Sequence, residues 1–211
     1  AEPDAPVPNW TRPERLCDGI MLNKPCIASD GSWLLPVSVW GDGIGGGKLP
    51  ESLRDVSGAN LFVSTDGGQS WTPPQRSRLR GPGSRFALRR LKSGSLLLIN
   101  HQCGVPFSPV REKLTAYLSD DDGESWTAGM MIDPRTGVSY PDFTEESNGA
   151  ILCVYDRDRY GDGEILLAEF TPDDVRKGVL PRPPQTISAL RNRTGENTEI
   201  PTTGEQIKEL A

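Results

Sequence analysis

Short apolar runs recur along this chain, and each is closed by a cluster of Gly, Asn, Asp or Ser. Runs of that length between turn residues predict β-strands rather than helices. The clearest cover residues 33–40, 59–63, 86–91, 95–100, 114–118, 138–143, 151–155 and 165–170. Tight turns separate several of them, at Ser29-Asp30-Gly31, Lys92-Ser93-Gly94 and Ser147-Asn148-Gly149. The order strand, tight turn, strand, loop, strand occurs three times over. That periodicity predicts an all-β chain built from about three similar units. Residues 1–18 are Pro-rich and polar and read as an extended lead-in. The repeated units fill residues 19–180. Near the end of that region, after the last strand, Thr171, Pro172, Asp174 and Gly178 carry the marks of a short helix: an N-cap, a first-turn proline, a first-turn acid and a C-cap glycine. Residues 181–211 are polar and read as a mobile tail, with a final helical turn at 206–210.

Composition narrows the function classes. The chain has 211 residues with Gly 23 and Pro 19, which favours turns and strands over long helices. Its net charge of −6 argues against a nucleic-acid partner and offers no basic stripe for anionic lipid. No apolar run approaches the ~20 residues of a membrane span. The opening AEPDAPVP lacks the features of a signal peptide, so a secreted, periplasmic or cytoplasmic home all stay open. Cys17, Cys26, Cys103 and Cys153 form no CxxC pair, and neither a zinc site, a cofactor nor a disulfide framework is expected. His101 is the one histidine, read as a satisfied loop residue; a Ser/His/Asp triad would have no other to use. The glycine-rich stretch 41–47 contains a loose GxGxxG but does not lead from a strand into a helix, so a flexible loop at the mouth of a site is the expectation.

Two segments stand out. Ser64-x-Asp66-x-Gly68-x-x-Trp71 recurs as Ser119-x-Asp121-x-Gly123-x-x-Trp126, after equivalent strands. The pattern suits a stiff hairpin turn. The aspartate accepts turn amides, the glycine supplies positive φ, and the tryptophan folds back to be mostly buried. A calcium loop at residues 120–122 lacks the acid expected at the twelfth position.

These segments resemble the Asp-box, or BNR, repeats of sialidases (neuraminidases), which are six-bladed β-propellers; the resemblance implies about three blades here, each an antiparallel four-stranded meander with Asp-box turns. The resemblance spans roughly residues 19–178. It is most specific from 96 to 156, where Arg111 starts a strand, an Asp box follows, then Ser139-Tyr140-Pro141, then a strand ending at Asp156. By that resemblance Tyr140 is the catalytic nucleophile, Arg111 grips the substrate carboxylate, and Asp156 is the acid that orients a further arginine. A neutral tyrosine suits sialic acid, whose own carboxylate sits on the anomeric carbon and would repel an anionic nucleophile. A guanidinium offers that carboxylate paired donors. The residue before a proline favours extended backbone, so Tyr140 is expected on a strand end.

The resemblance implies a retaining exo-α-sialidase type of glycoside hydrolase acting on a terminal acidic sugar of a glycan. It also implies parts not found in the sequence: further carboxylate-binding arginines, the activating glutamate and the acid/base aspartate. A blade is missing between about residues 71 and 84 relative to the family, and Arg85, Arg89 and Arg90 precede the wrong strand to replace a lost arginine. The chain is therefore expected to be a poor enzyme by itself. A non-catalytic glycan-binding or scaffold propeller is the rival, and a glycosidase whose sugar lacks the carboxylate is a third reading. From residue type alone, Tyr140 is a core residue, Arg111 an exposed strand-start residue, and Asp156 part of a solvated charged run.

Overall fold

The structure is a computed structural model, and it describes residues 4, 6–7, 10, 12–20, 23–40, 48–76, 79, 81–102 and 110–189. The glycine-rich stretch 41–47, Cys103 and the 206–210 turn lie outside the described residues.

Among the described residues, twelve strands form three four-stranded antiparallel sheets. Sheet 1 holds β1 (Cys26–Ile27), β2 (Trp33–Val39), β3 (Gly58–Ser64) and β4 (Gln75–Arg76) in chain order. Sheet 2 holds β5 (Ala87–Arg90), β6 (Leu96–His101), β7 (Glu112–Ser119) and β8 (Met130–Thr136). Sheet 3 holds β9 (Val138–Glu145), β10 (Ile151–Arg157), β11 (Glu164–Phe170) and β12 (Gln185–Ser188). Each is an up-and-down meander of the kind that forms a propeller blade. The repeat in the sequence marks three strands per unit, the family resemblance implies four-stranded meanders, and the sheets have four. The fourth strands β4, β8 and β12 carry weak signals. β8 contains Pro134 and the buried Asp133, and β12 is exposed throughout, so neither alternates cleanly. Residues 185–188, read as tail from sequence, thus extend sheet 3.

The sheets stack through their apolar faces. Leu34 and Ala59 of sheet 1 pack with Leu88, Leu96, Leu98 and Tyr117 of sheet 2. The opposite face of sheet 2, with Leu97, Ile99, Ala116 and Met130, packs with Ile151, Cys153, Leu166 and Phe170 of sheet 3. Alternation in sequence sends successive side chains to the two faces, which is why the middle sheet is buried on both. Helix α1 (Pro172–Lys177) plugs the second layer with Val175. Its ends are as the sequence predicts: Thr171 accepts from Asp174 N in a capping box, and Gly178 closes it in the left-handed conformation at φ 71°.

Both Asp boxes are hairpin turns with the same bonds. Ser64 Oγ accepts from Gly68 N and donates to Asp66, whose carboxylate accepts from Ser70 N at 2.9 Å. Ser119, Gly123, Asp121 and Ser125 repeat the set, with Ser125 N 2.8 Å from Asp121. The serine hydroxyls hold both aspartates well below the usual carboxylate range. The repeat runs one residue beyond the tryptophan. Thr72 exchanges bonds with Val63, and Thr127 does the same with Leu118, locking each hairpin across its base. The tryptophans are half-buried rather than mostly buried, with Trp126 donating to Gly123 O at 3.0 Å.

Candidate functional site

Sheet 3 carries a one-residue bulge that decides where Tyr140 points. β9 and β10 pair in register from Ile151↔Glu145 to Val154↔Asp142, and then shift by one at Asp156↔Ser139. Tyr140 and Pro141 together face the single residue Tyr155. Proline has no N–H to give a ladder and is tolerated in strands mainly at edges and bulges; β9 offers both. The expected extended geometry at Tyr140 is not found: its φ is 52°, in the left-handed region. The bulge overrides the pre-proline preference. A non-glycine residue held there costs about 1–3 kcal/mol, and such outliers gather at functional sites.

The bulge brings together side chains from all three sheets. Trp40, directly after β2, stacks on Tyr140 with ring centroids 6.4 Å apart. Arg111, directly before β7, lies 5.3 Å from the Tyr140 ring centroid and 6.0 Å from that of Trp40. Arg159, just after β10, covers Tyr140 at 4.2 Å. Tyr140 and Arg111 are thus neighbours, while Asp156 stands one step back. Its carboxylate accepts from Ser139 Oγ at 2.9 Å and from Arg159 at 2.8 Å. Ser139 Oγ also accepts from Arg159 at 2.9 Å, so Arg159 is aimed by two groups. Burial works against the Arg159 charge, but contact with Tyr140 and the Asp156 carboxylate outweighs it and raises its pKa. Arg111 lies at the opposite end of β7 from the second Asp box, roughly 25 Å away for a strand of that length.

Backbone bonds tie this end together. Gly137 N donates to Arg111 O at 2.8 Å, and Asp158 N donates to Gly137 O at 3.2 Å. Gly137 sits at φ 80°. Gly137→Ala is therefore expected to lower the unfolding free energy by about 1–2 kcal/mol, the usual cost of a side chain in left-handed backbone, read from urea denaturation.

His101 lies beneath the site. It ends β6 and is 1% exposed, so it is a core residue and not the loop residue the sequence suggests. Its Nε2 donates to Val138 O at 2.8 Å; a carbonyl only accepts, so the neutral ring carries its proton on Nε2. The tempting arginines have structural partners instead. Arg85 and Arg89 both clamp Asp142, linking β5 to β9, and Arg90 pairs with Asp122.

Arg159 and Trp40 are the site residues that sequence reasoning missed. Arg159 lies in DRDRYGDGE, which reads as a solvated charged run; only the pairing of β10 with β9 brings it back onto Tyr140. Trp40 closes an apolar run and looks like core. Its indole N–H is buried with no hydrogen-bond partner among the described residues. An open cleft of about 790 Å³ lies elsewhere, between sheets 1 and 2, lined by Ile27, Arg90, Ser95 and residues 120–122. Its three aspartates are bonded to Ser95, Arg176, Ser125, Ser29 and Arg90, which leaves it as a gap between blades. Among the described residues no group of three or more His, Cys, Asp or Glu could hold a metal, and no helix is long and apolar enough to cross a membrane.

Comparison with known proteins bears on this architecture. Residues 45–153 match the BNR repeat-like domain. A search of curated proteins found no match. Among solved structures, the chain is similar to the leech intramolecular trans-sialidase complexed with 2,7-anhydro-Neu5Ac, at TM-score 0.55 and 13% identity, covering 72% of this chain and 24% of that one. It is similar also to the intramolecular trans-sialidase of Ruminococcus gnavus in complex with oseltamivir carboxylate, at TM-score 0.52 and 19% identity, covering 72% and 33%. A Dyadobacter fermentans protein of unknown function aligns at TM-score 0.49 and 20% identity, over 77% of this chain and 50% of that one. The chain spans half or less of the length of each of these structures. The fold is all-β and propeller-like, of the sialidase type.

Proposed function

Because this chain belongs to the BNR repeat-like domain family, we propose that it contributes a terminal acidic-sugar site to a sialidase-related glycoside hydrolase. The observation that carries this reading is Tyr140 itself. It is held in left-handed backbone at a bulge, with a guanidinium against its ring from each of two sheets. Two fixed cations beside two stacked aromatic rings suit a sugar with an apolar face and a carboxylate. In this reading Arg111 takes the carboxylate. Asp156 and Ser139 aim Arg159, whose charge stabilises negative charge developing on the Tyr140 oxygen. That oxygen bonds to the anomeric carbon as the glycosidic C–O bond breaks, and water later displaces it with net retention. The departing oxygen needs a proton and the phenol must lose one.

Among the described residues the side-chain partners of Tyr140 are Trp40, Arg111 and Arg159, none of them a carboxylate. General acid–base help is typically worth ~10²–10⁴-fold, so binding is expected to outrun turnover in this chain. The same observation favours a second reading, a glycan-binding propeller without catalysis.

The test pairs two measurements on the purified chain. Free sialic acid should change tryptophan fluorescence saturably, because Trp40 lines the site. A fluorogenic sialoside should be hydrolysed weakly or not at all. Turnover that Tyr140→Phe removes would decide for catalysis over binding, and no response to the sugar would sink both readings.

A further inference from the structure

Tyr160 is 96% exposed, the most exposed of the large apolar and aromatic side chains among the described residues. A single exposed aromatic is ordinary. What sets this one apart is the turn that carries it and the residue before it. Gly161 N and Gly163 N both donate to Asp158 O, at 2.9 and 2.8 Å, and Asp162 N donates to the Asp158 carboxylate at 3.1 Å. Asp158 is itself held at φ 46° and bonded through its N–H to Gly137. A Cβ at Gly161 would press on the Asp158 carboxylate that accepts from Asp162 N, so glycine lets the turn close tightly around that side chain. Arg157 ties the base of the turn to Asp162 and Glu164, at 3.3 and 2.7 Å. The turn is fixed, and its aromatic side chain is presented to solvent.

Arg159 and Tyr160 are consecutive, with Cα atoms about 3.8 Å apart, and their side chains part company. Arg159 turns back over the Tyr140 ring while Tyr160 stays outside. Tyr160 therefore stands at the rim of the site. A tyrosine in a fixed turn offers a large amphipathic face at low entropic cost, because only two side-chain torsions need ordering. The C–H face of a neutral hexose can stack on such a ring while its hydroxyls meet the phenol or water.

We propose that Tyr160 is a second subsite, a stacking platform for the neutral sugar next to the terminal acidic one. This rests on the acidic-sugar reading of Tyr140 and Arg111. It assigns the chain a preference for oligosaccharides over the free acidic monosaccharide.

Titration calorimetry with free sialic acid and with a sialylated trisaccharide tests it. The wild-type chain should bind the trisaccharide roughly three- to tenfold more tightly than the monosaccharide, the range of one aromatic stacking contact. Tyr160→Ala, with an unchanged thermal midpoint, should bring the trisaccharide down to the affinity of the monosaccharide. Tyr160→Trp should keep the preference. If the wild type shows no preference, or Tyr160→Ala retains it, the subsite is refuted and the acidic-sugar reading stands. If neither sugar binds, both fall together.

Discussion

Folding stability should drop by about 2 kcal/mol between pH 7.5 and pH 5, and a His101→Gln variant should show almost none of that loss. His101 is the only histidine in the chain, so the window between carboxylates and cysteines belongs to it. Burial pushes its pKa from 6.5 down to about 4; the bond to Val138 O pulls the other way, Arg111 adds to the shift, and Asp156 opposes it. The native ring is therefore neutral where the unfolded ring has taken up a proton. Folding must release that proton once the pH passes below 6.5, so stability falls with pH until about 4, where the native ring protonates too. Glutamine can donate to Val138 O as Nε2 does and does not titrate, which makes it the clean control. Urea denaturation at pH 7.5, 6 and 5 reads the effect. A wild-type curve flat across this range would mean that His101 is solvated in solution. Below about pH 4 a second loss should follow for both proteins. Asp66, Asp121 and Asp122 have lowered native pKa values, so what they contribute is present above their unfolded pKa and disappears as they protonate.

Arg111→Met should weaken binding of a terminal acidic sugar about ten- to a hundredfold. A charge-assisted hydrogen bond contributes about 1.5–3 kcal/mol, and each 1.4 kcal/mol is a factor of ten. Arg111 is the better target of the two guanidiniums because its ties to the protein are few. It donates to Gly83 O at 3.0 Å and rests on two rings, whereas Arg159 is engaged by Asp156 and Ser139. Methionine keeps much of the stem that packs on Trp40 and Tyr140 but loses the fork. Arg111→Lys should fall between, because an ammonium restores the charge without the planar paired donors. The measurement is the same calorimetric titration with free sialic acid. Unchanged affinity in Arg111→Met would remove Arg111 from the site.

The strands that alternate or run apolar were legible from the sequence, as were the two Asp-box hairpins and the helix capped by Thr171 and Gly178. Their signals are local: a side-chain period, a turn residue, a cap. The edge strands were less legible. Residues 185–188 bury nothing, so no pattern marks them, and their backbone pairing with β11 alone makes them a strand. In β8, Asp133 breaks the apolar pattern yet is 2% exposed, because Tyr155 and Arg135 both donate to it. At the site, the sequence pairs Arg111 with Tyr140 across nearly thirty residues only through family order. Arg159 stayed hidden because a charged run carries no mark of which member turns inward. Tyr140 was placed on the right strand with the wrong backbone, since a register shift is a property of two strands at once.

The convergence of three sheets on one spot has a thermodynamic meaning. Stacked blades behave as a linear array of units coupled mainly to their neighbours. Trp40 belongs to the first unit, Arg111 to the second, Tyr140 and Arg159 to the third. The Trp40–Tyr140 stack already joins the first and third units, and a ligand held by all of them adds to that coupling. The statistical weight of states with one end unit undocked then falls as ligand rises, by the factor that mass action sets. Saturation would tighten this closed loop of couplings, in which no unit can leave without breaking its contacts to both of the others.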